Sequence, residues 1–290
     1  MVKVFVTGGT GFVGSRVIRL LVAHGHQISA LARRTGTELD KLNVKIIQGS
    51  VTDLDIIASA VAGSEAVMHL AFGHDFTKYQ EAIEQDIAVI RTINKALQGS
   101  GKLFVSTCTT SVMGDTKQDI VSETTPVSQS RGVAEIAALA GNDTGVRAVV
   151  MRLPPFVYAR GFSFFYNVMY KAAEKNGSAS YIGAGDNKMC AVHADDAARA
   201  YVALLTRSRL LSARGIYNVV GENGVTSKDV AEIIASKLHC GTGSVTREEA
   251  EKLFGFVVAM RTGINNQADD SKTQYELDWK PQYTSIKAVM

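Results

Sequence analysis

Several things are scarce in this 290-residue chain, and each scarcity closes off a class of function. Cysteine is one. Cys108, Cys190 and Cys240 make an odd number with no metal-ligand spacing, so a disulfide framework and a cysteine zinc site are excluded, and free thiols in a reducing compartment are expected. Four prolines, set against 26 glycines and no low-complexity stretch, indicate regular elements joined by short loops. A formal net charge of +3, evenly spread, offers no basic face to nucleic acid or to a membrane surface. No apolar run reaches the roughly 18 residues of a membrane helix, and MVKVFVTGG enters a strand directly, without a basic leader or a cleavage site. The expectation is a cytoplasmic protein, a monomer or homodimer, whose partner is a small molecule.

What is present is an alternation. The apolar runs VKVFVTG, QISALA, VKIIQGS, AVMHLAF, KLFVST and RAVVMRL are each bounded by glycine or polar residues, and stretches of helical period lie between them. Val13, Val17, Leu20 and Leu21 share a face that Gly25 ends, Thr52 and Asp53 offer a cap to LDIIASAVAG, and AIEQDIAVIRTINKAL reads as a long amphipathic helix. Near-continuous β-branched strands between helices predict an α/β fold, a doubly wound parallel Rossmann sheet covered on both faces. After Arg152 the rhythm changes: LPPFVYARGFSFFYNVMY concentrates aromatics that are only 7% of the chain. HADDAARAYVALLTR then reads as a helix and IYNVVG as a strand, and capping boxes at Thr226/Asp229 and Thr246/Glu249 open two later helices. Residues 1–155 are thus expected to form a nucleotide-binding core, revisited at about 190–221, and 156–290 a smaller, mostly helical lobe.

The strongest motif is VFVTGGTGFVGSRVI. A strand enters Gly8-x-x-Gly11-x-x-Gly14 and a helix leaves, so Gly8 makes the turn, Gly11 admits a pyrophosphate and Gly14 lets helix meet strand. No acid stands between Ser15 and Thr37 to bind ribose hydroxyls, whereas Arg33 and Arg34 offer forked donors to a 2′-phosphate. The expected cofactor is NADP(H).

TGGTGFVG, VMHLAF, STCTTSVMG, RLPP and VHADDAARAY recur in this order, and together they resemble the extended short-chain dehydrogenase/reductases. The chain is similar to the NAD(P)-dependent epimerase/dehydratase family, in an atypical branch with truncated loops. The resemblance implies dinucleotide contacts from Thr10, Phe12 and Val13 in the loop and from Ser50 and Val51 after the third strand. It implies further contacts from Leu70, Ala71 and Phe72 after the fourth strand, and from Thr107, Arg131 and Pro154. The family's catalytic hydroxyl, five residues before the glycine of V-Y-G, falls on Thr109, with Met113 at the tyrosine, and Thr110 or Ser111 stands ready to share the task. The family's acid, a Tyr with a Lys four residues on, falls on Val127 and Arg131. Valine transfers no proton and arginine keeps its own, so the usual acid is absent while the positive charge is retained. Tyr158 and Tyr166 are the replacement candidates, each also suited to packing. Tyr283 and Lys287 reproduce the spacing by coincidence. Substrate contacts are expected from His74, Thr109, Thr110, Phe156, Phe165, Tyr166 and His193. His69 and His74 have no third ligand, so no metal is expected.

Three functions fit these residues. One is an NADPH-dependent reductase of a small apolar or conjugated carbonyl, enone or imine, since Phe156, Phe162, Phe164, Phe165 and Tyr166 suit such a body, with only Arg160 and Lys171 for a sugar nucleotide. The second is an isomerase, dehydratase or cyclase with bound NADP and no net redox. The third is a dinucleotide-sensing binding protein. Fold alone does not choose among them. A homodimer would use the helices over 81–97 and 130–140.

Overall fold

The computed structural model describes residues 1–36, 38–128, 131–206 and 215–290. In chain order the first part runs β1 (Lys3–Thr7), α1 (Gly14–Ala23), β2 (Gln27–Ala32), β3 (Lys45–Gln48), α2 (Leu54–Ala62), β4 (Ala66–His69), α3 (Tyr79–Leu97) and β5 (Leu103–Thr109). It continues through β6 (Ile120–Val121), α4 (Gly132–Leu139) and β7 (Arg147–Leu153). Next come β8 (Phe156–Ala159), β9 (Phe162–Ser163), α5 (Phe164–Asn176), β10 (Ser178–Ile182), β11 (Lys188–His193), α6 (Ala194–Thr206), β12 (Gly215–Asn218) and β13 (Glu222–Thr226). The chain closes with α7 (Ser227–Leu238), β14 (Gly241–Val245), α8 (Arg247–Phe254), α9 (Phe256–Thr262), β15 (Gln267–Ala268), α10 (Ser271–Leu277) and α11 (Ile286–Val289).

The six apolar runs and IYNVVG build one seven-stranded parallel sheet in the order β12-β7-β5-β4-β1-β2-β3. Its strands carry Val, Ile and Phe on both faces because both faces are covered. On one face α1 and α6 pack Val17, Ile18 and Leu21 against Ala197, Ala198 and Tyr201. On the other, α2, α3 and α4 pack Ile57, Val61, Val89, Ile90, Ile93 and Ala138. The order reverses between β1 and β4, and a crevice at the carboxyl ends of these strands is where such sheets bind ligands.

The lobe is mostly helical, with α5 and α7 to α11, and short strands join its helices: β13-β11-β8-β9 form a second sheet, β10 pairs with β14, and β15 pairs with β6. Strands of two to six residues carry too few periods to be told from packed helix in a sequence. Phe156, Tyr158, Phe165, Met169, Ile234, Phe254 and Val258 form the lobe's own core beneath α5, α7 and α8. Both predicted capping boxes exist: Thr226 and Asp229 satisfy one another's backbone at α7, and Thr246 and Glu249 do so at α8. Asp53 is a correction. It precedes α2, but its carboxylate accepts from the Ser50 N–H at 2.7 Å and so ties the loop upstream instead of capping the helix. The helix expected over 130–140 is described as α4, and residue 130 lies outside the described residues. No helix among the described residues is long and apolar enough to cross a membrane.

Candidate functional site

A cleft of about 440 Å³ opens at the sheet's switch point, between the carboxyl ends of the strands and the lobe. Its floor is the glycine loop. Gly8 has φ +74°, a conformation that costs a side chain strain, and a Cβ there would stand 2.5 Å from the Ala71 nitrogen. Gly14 lies so close to the Gly8 carbonyl that no Cβ fits between α1 and the loop. At Gly11 a Cβ would meet only the Gly8 oxygen, at 3.0 Å, and Gly11 faces the cleft, so this is where another group's backbone-close approach is open. The first turn of α1 has neither a side-chain cap nor an acid, which leaves its positive end to an anion. These residues fit a dinucleotide's pyrophosphate. Gly8, Gly11, Phe12, Val13, Gly14, Leu70, Phe72, Thr107, Arg131 and Pro154 line the cleft. Ala71 backs Gly8, while Thr10, Ser50 and Val51 lie outside the lining. Arg33 and Arg34 are exposed just beyond the end of β2.

Arg131 stands at the centre of a buried relay. Its guanidinium sits over the Phe72 ring at 3.7 Å and donates to the Thr107 carbonyl at 3.3 Å. Its Nε lies 3.7 Å from Asp86 Oδ2, and the other carboxylate oxygen is 2.9 Å from His69 Nε2. His69 Nδ1 meets the Thr7 hydroxyl at 2.5 Å. Asp86 thus holds His69 on one side and fixes Arg131 on the other, so His69 is a structural link and not a ligand. Among the described residues no cluster of His, Cys, Asp and Glu is able to hold a metal. Thr109 faces the cleft, and its Oγ1 accepts from the Ser111 N–H at 3.2 Å, which leaves the hydroxyl hydrogen free to donate. Val127, at the family's tyrosine, lies outside the cleft lining and packs so tightly on Gly132 that a Cβ there would come within 2.6 Å of it.

One end of the cleft is aromatic. Phe72, His74, Phe76, Tyr79, Phe162, Phe164 and Phe165 line it. The His74 ring lies 5.3 Å from Phe164, and desolvation, seconded by the Arg131 charge, lowers its pKa, so it works as a neutral imidazole near pH 7.

Five sequence expectations are corrected here, because none of these residues lines the cleft. Tyr158 is fully buried, donates to the Tyr283 carbonyl at 3.4 Å, and is held neutral by burial. Tyr166 is buried in the lobe core, where desolvation pushes its phenol up to about 12 and its hydroxyl has no partner among the described residues. Neither is placed to deliver a proton. Phe156 is core. Thr110 is sealed between Asn266, at 2.7 Å, and Cys190. His193 stacks on Tyr283 at 3.9 Å, accepts from the Asp195 N–H, and has its pKa lowered by burial. Tyr283 and Lys287, the misplaced Tyr-x-x-x-Lys, serve this stack and an ion pair with Asp229 at 2.7 Å. Sequence reasoning missed Phe76, Tyr79, Val257 and Arg261, which also line the cleft. Phe76 and Tyr79 carried a signal in their spacing to Phe72 and His74, while Val257 and Arg261 lie on α9, far along the chain with no motif around them.

The family model for the NAD-dependent epimerase/dehydratases matches residues 4–220. An uncharacterised protein of Schizosaccharomyces pombe is 34% identical over 98% of this chain and 96% of its own. The 2-alkyl-3-oxoalkanoate reductase of Stenotrophomonas maltophilia is 30% identical over 69% of this chain and 64% of its own. Among solved structures, UDP-glucose 4-epimerase of Thermotoga maritima superposes with a TM-score of 0.77 at 17% identity, covering 98% of this chain and 95% of that one. With its glycine cradle, switch-point cleft and this relatedness over most of its length, the chain belongs to the NAD-dependent epimerase/dehydratase family.

Proposed function

We propose that the protein is an NADPH-dependent reductase of a small apolar or conjugated carbonyl, enone or imine, working without a Tyr–Lys acid. The observation that carries this reading is one cleft whose lining joins the glycine cradle, the Thr109 hydroxyl, the Arg131 guanidinium and an aromatic wall. Arg33 and Arg34, exposed beyond β2 where no acid stands, support a 2′-phosphate and hence NADPH. The relationship to a reductase of 2-alkyl-3-oxoalkanoates supports a redox reaction. The division into a dinucleotide part over 1–155 and a substrate part over 156–290, and a homodimer through α3 and α4 with Val133 and Ile136 exposed at 50% and 58%, belong to the same proposal.

When bound, the dinucleotide supplies the hydride. The chain's own residues do the rest. Thr109 donates a hydrogen bond to the substrate oxygen. The fixed charge of Arg131 stabilises the oxyanion that develops there, a preorganised term that costs no reorganisation during reaction. Asp86, Phe72 and the Thr107 carbonyl keep that guanidinium in place. The aromatic wall holds the flat body of the substrate. An iminium needs no proton after hydride addition, and an alkoxide or enolate held by Thr109 and Arg131 takes its proton from solvent.

The test is a fluorescence titration with NADPH and with NADH, followed by NADPH consumption on ketones, enones and imines. NADPH should bind about 10-fold tighter, worth about 1.4 kcal/mol, with the difference erased in the Arg33→Ala, Arg34→Ala double variant. Tight binding with no consumption on any of these substrates would move the protein to the non-redox branch of its family.

A further inference from the structure

One buried cation has no place in that mechanism. Arg261 is 4% exposed, yet it lines the cleft together with Val257, one helical turn before it on α9. Its Nη1 donates to the Ser111 carbonyl at 2.8 Å. No carboxylate among the described residues pairs with it. The other buried arginine of the described residues is neutralised, since Glu135 takes Arg152 in a bidentate pair at 2.7 and 2.5 Å, and Asp86 faces half-buried Arg131. Arg261 is not. Its remaining nitrogens are not among the buried atoms that lack a partner, and the residue lines the cleft. A desolvated guanidinium without an anion is a costly arrangement, and a chain keeps it where an anion arrives from outside.

The surroundings narrow the anion. A guanidinium presents a planar fork that matches a carboxylate through two parallel hydrogen bonds. The lining it shares includes Val257, Phe164 and Phe165, with no lysine to share a polyphosphate. The backbone of Ser111 links Arg261 to Thr109, since its carbonyl accepts from Arg261 while its N–H donates to Thr109 Oγ1 at 3.2 Å. Arg261 and Thr109 therefore meet on the backbone of one residue.

We propose that Arg261 is the carboxylate anchor of the cleft, and that the substrate class is an apolar oxo acid with its carboxylate on Arg261 and its carbonyl at Thr109 and Arg131. The inference rests on the reading of this cleft as the substrate site, and its test is one of binding. The full-length protein, saturated with NADP⁺, is titrated calorimetrically with 2-naphthoate and with 2-naphthamide, which share a shape and differ in charge. The acid should bind at least about tenfold tighter, or about 1.4 kcal/mol. Arg261→Gln should bring the acid down to the affinity of the amide without weakening the amide, and Arg261→Lys should keep part of the preference. Equal binding of acid and amide by the unaltered protein overturns the proposal without any variant, as does failure of the acid to bind or a preference that survives Arg261→Gln. Acid-selective binding with no NADPH consumption would sink the reductase and leave the anchor. Turnover of neutral ketones with no acid preference would do the reverse.

Discussion

Asp86 is the residue on which the cleft's electrostatics turn, because one carboxylate serves His69 at 2.9 Å and Arg131 at 3.7 Å, with both partners largely buried. Asp86→Ala strands a buried cation and should cost roughly 3 to 5 kcal/mol, read from urea unfolding. Asp86→Asn keeps the shape, so it should fold while lowering kcat more than it changes KM, because Arg131 loses its fixed position. A loss confined to stability would rule out that positioning role. Tyr166 gives the opposite kind of test. Its hydroxyl is buried without a partner among the described residues, so Tyr166→Phe should leave turnover intact and raise stability by up to about 1 kcal/mol. A collapse of activity in that variant would restore Tyr166 as an acid. At this scale the sequence pointed to Thr109 and Arg131, which line the cleft, and also to Tyr158 and Tyr166, which do not. Those two stand next to the substrate entrance along the chain, but strand β8 and helix α5 turn their rings into the lobe core.

Elements were more legible than residues where they obey a period or a cap. The sheet strands, α1, α3 and both capping boxes follow from alternation and from Ser/Thr-x-x-acid spacing. Losing one box through Thr226→Ala should cost about 1 kcal/mol, measured by thermal unfolding, and should leave dinucleotide affinity unchanged, since α7 lies against the lobe. Gly8 behaves otherwise. With φ +74° and the Ala71 nitrogen where a Cβ would go, Gly8→Ala must push the loop away from β4. NADPH affinity should fall by at least about 1.4 kcal/mol, tenfold, and an unchanged affinity would mean the cradle lies elsewhere. What the sequence hid was the lobe's small sheets and α9. A four-residue strand leaves no periodic trace, and α9 is held at the cleft by long-range ties to the loop after β5, Arg261 donating to the Ser111 carbonyl and Asn266 to the Thr110 and Gly114 carbonyls.

For the molecule as a whole, buried thiols and phenols set an alkaline limit, with Tyr158, Tyr201 and Tyr217 also raised by burial. Desolvation pushes the thiols of Cys108 and Cys190 from the ordinary 9.0 up to about 11 and about 12, and the phenol of Tyr166 from 10.0 up to about 12. The unfolded chain releases these protons first and binds fewer of them in that window. Stability should therefore be full below about pH 9 and decline as pH rises toward 12, with Tyr166→Phe removing part of the slope. A flat stability profile between pH 9 and 12 would contradict this. The two ends of the cleft also share a side chain: the Phe12 ring, under the Arg16 guanidinium at 4.4 Å, lies 4.4 Å from Phe162 of β9. Immobilising that ring for one guest spares the next guest the same loss of freedom, which makes the two guests cooperative. Cooperativity of this kind is reciprocal, so the factor by which NADPH tightens 2-naphthoate must equal the factor by which 2-naphthoate tightens NADPH. Phe12→Ala should bring that factor toward one, and with it the cleft would lose any preferred order of filling.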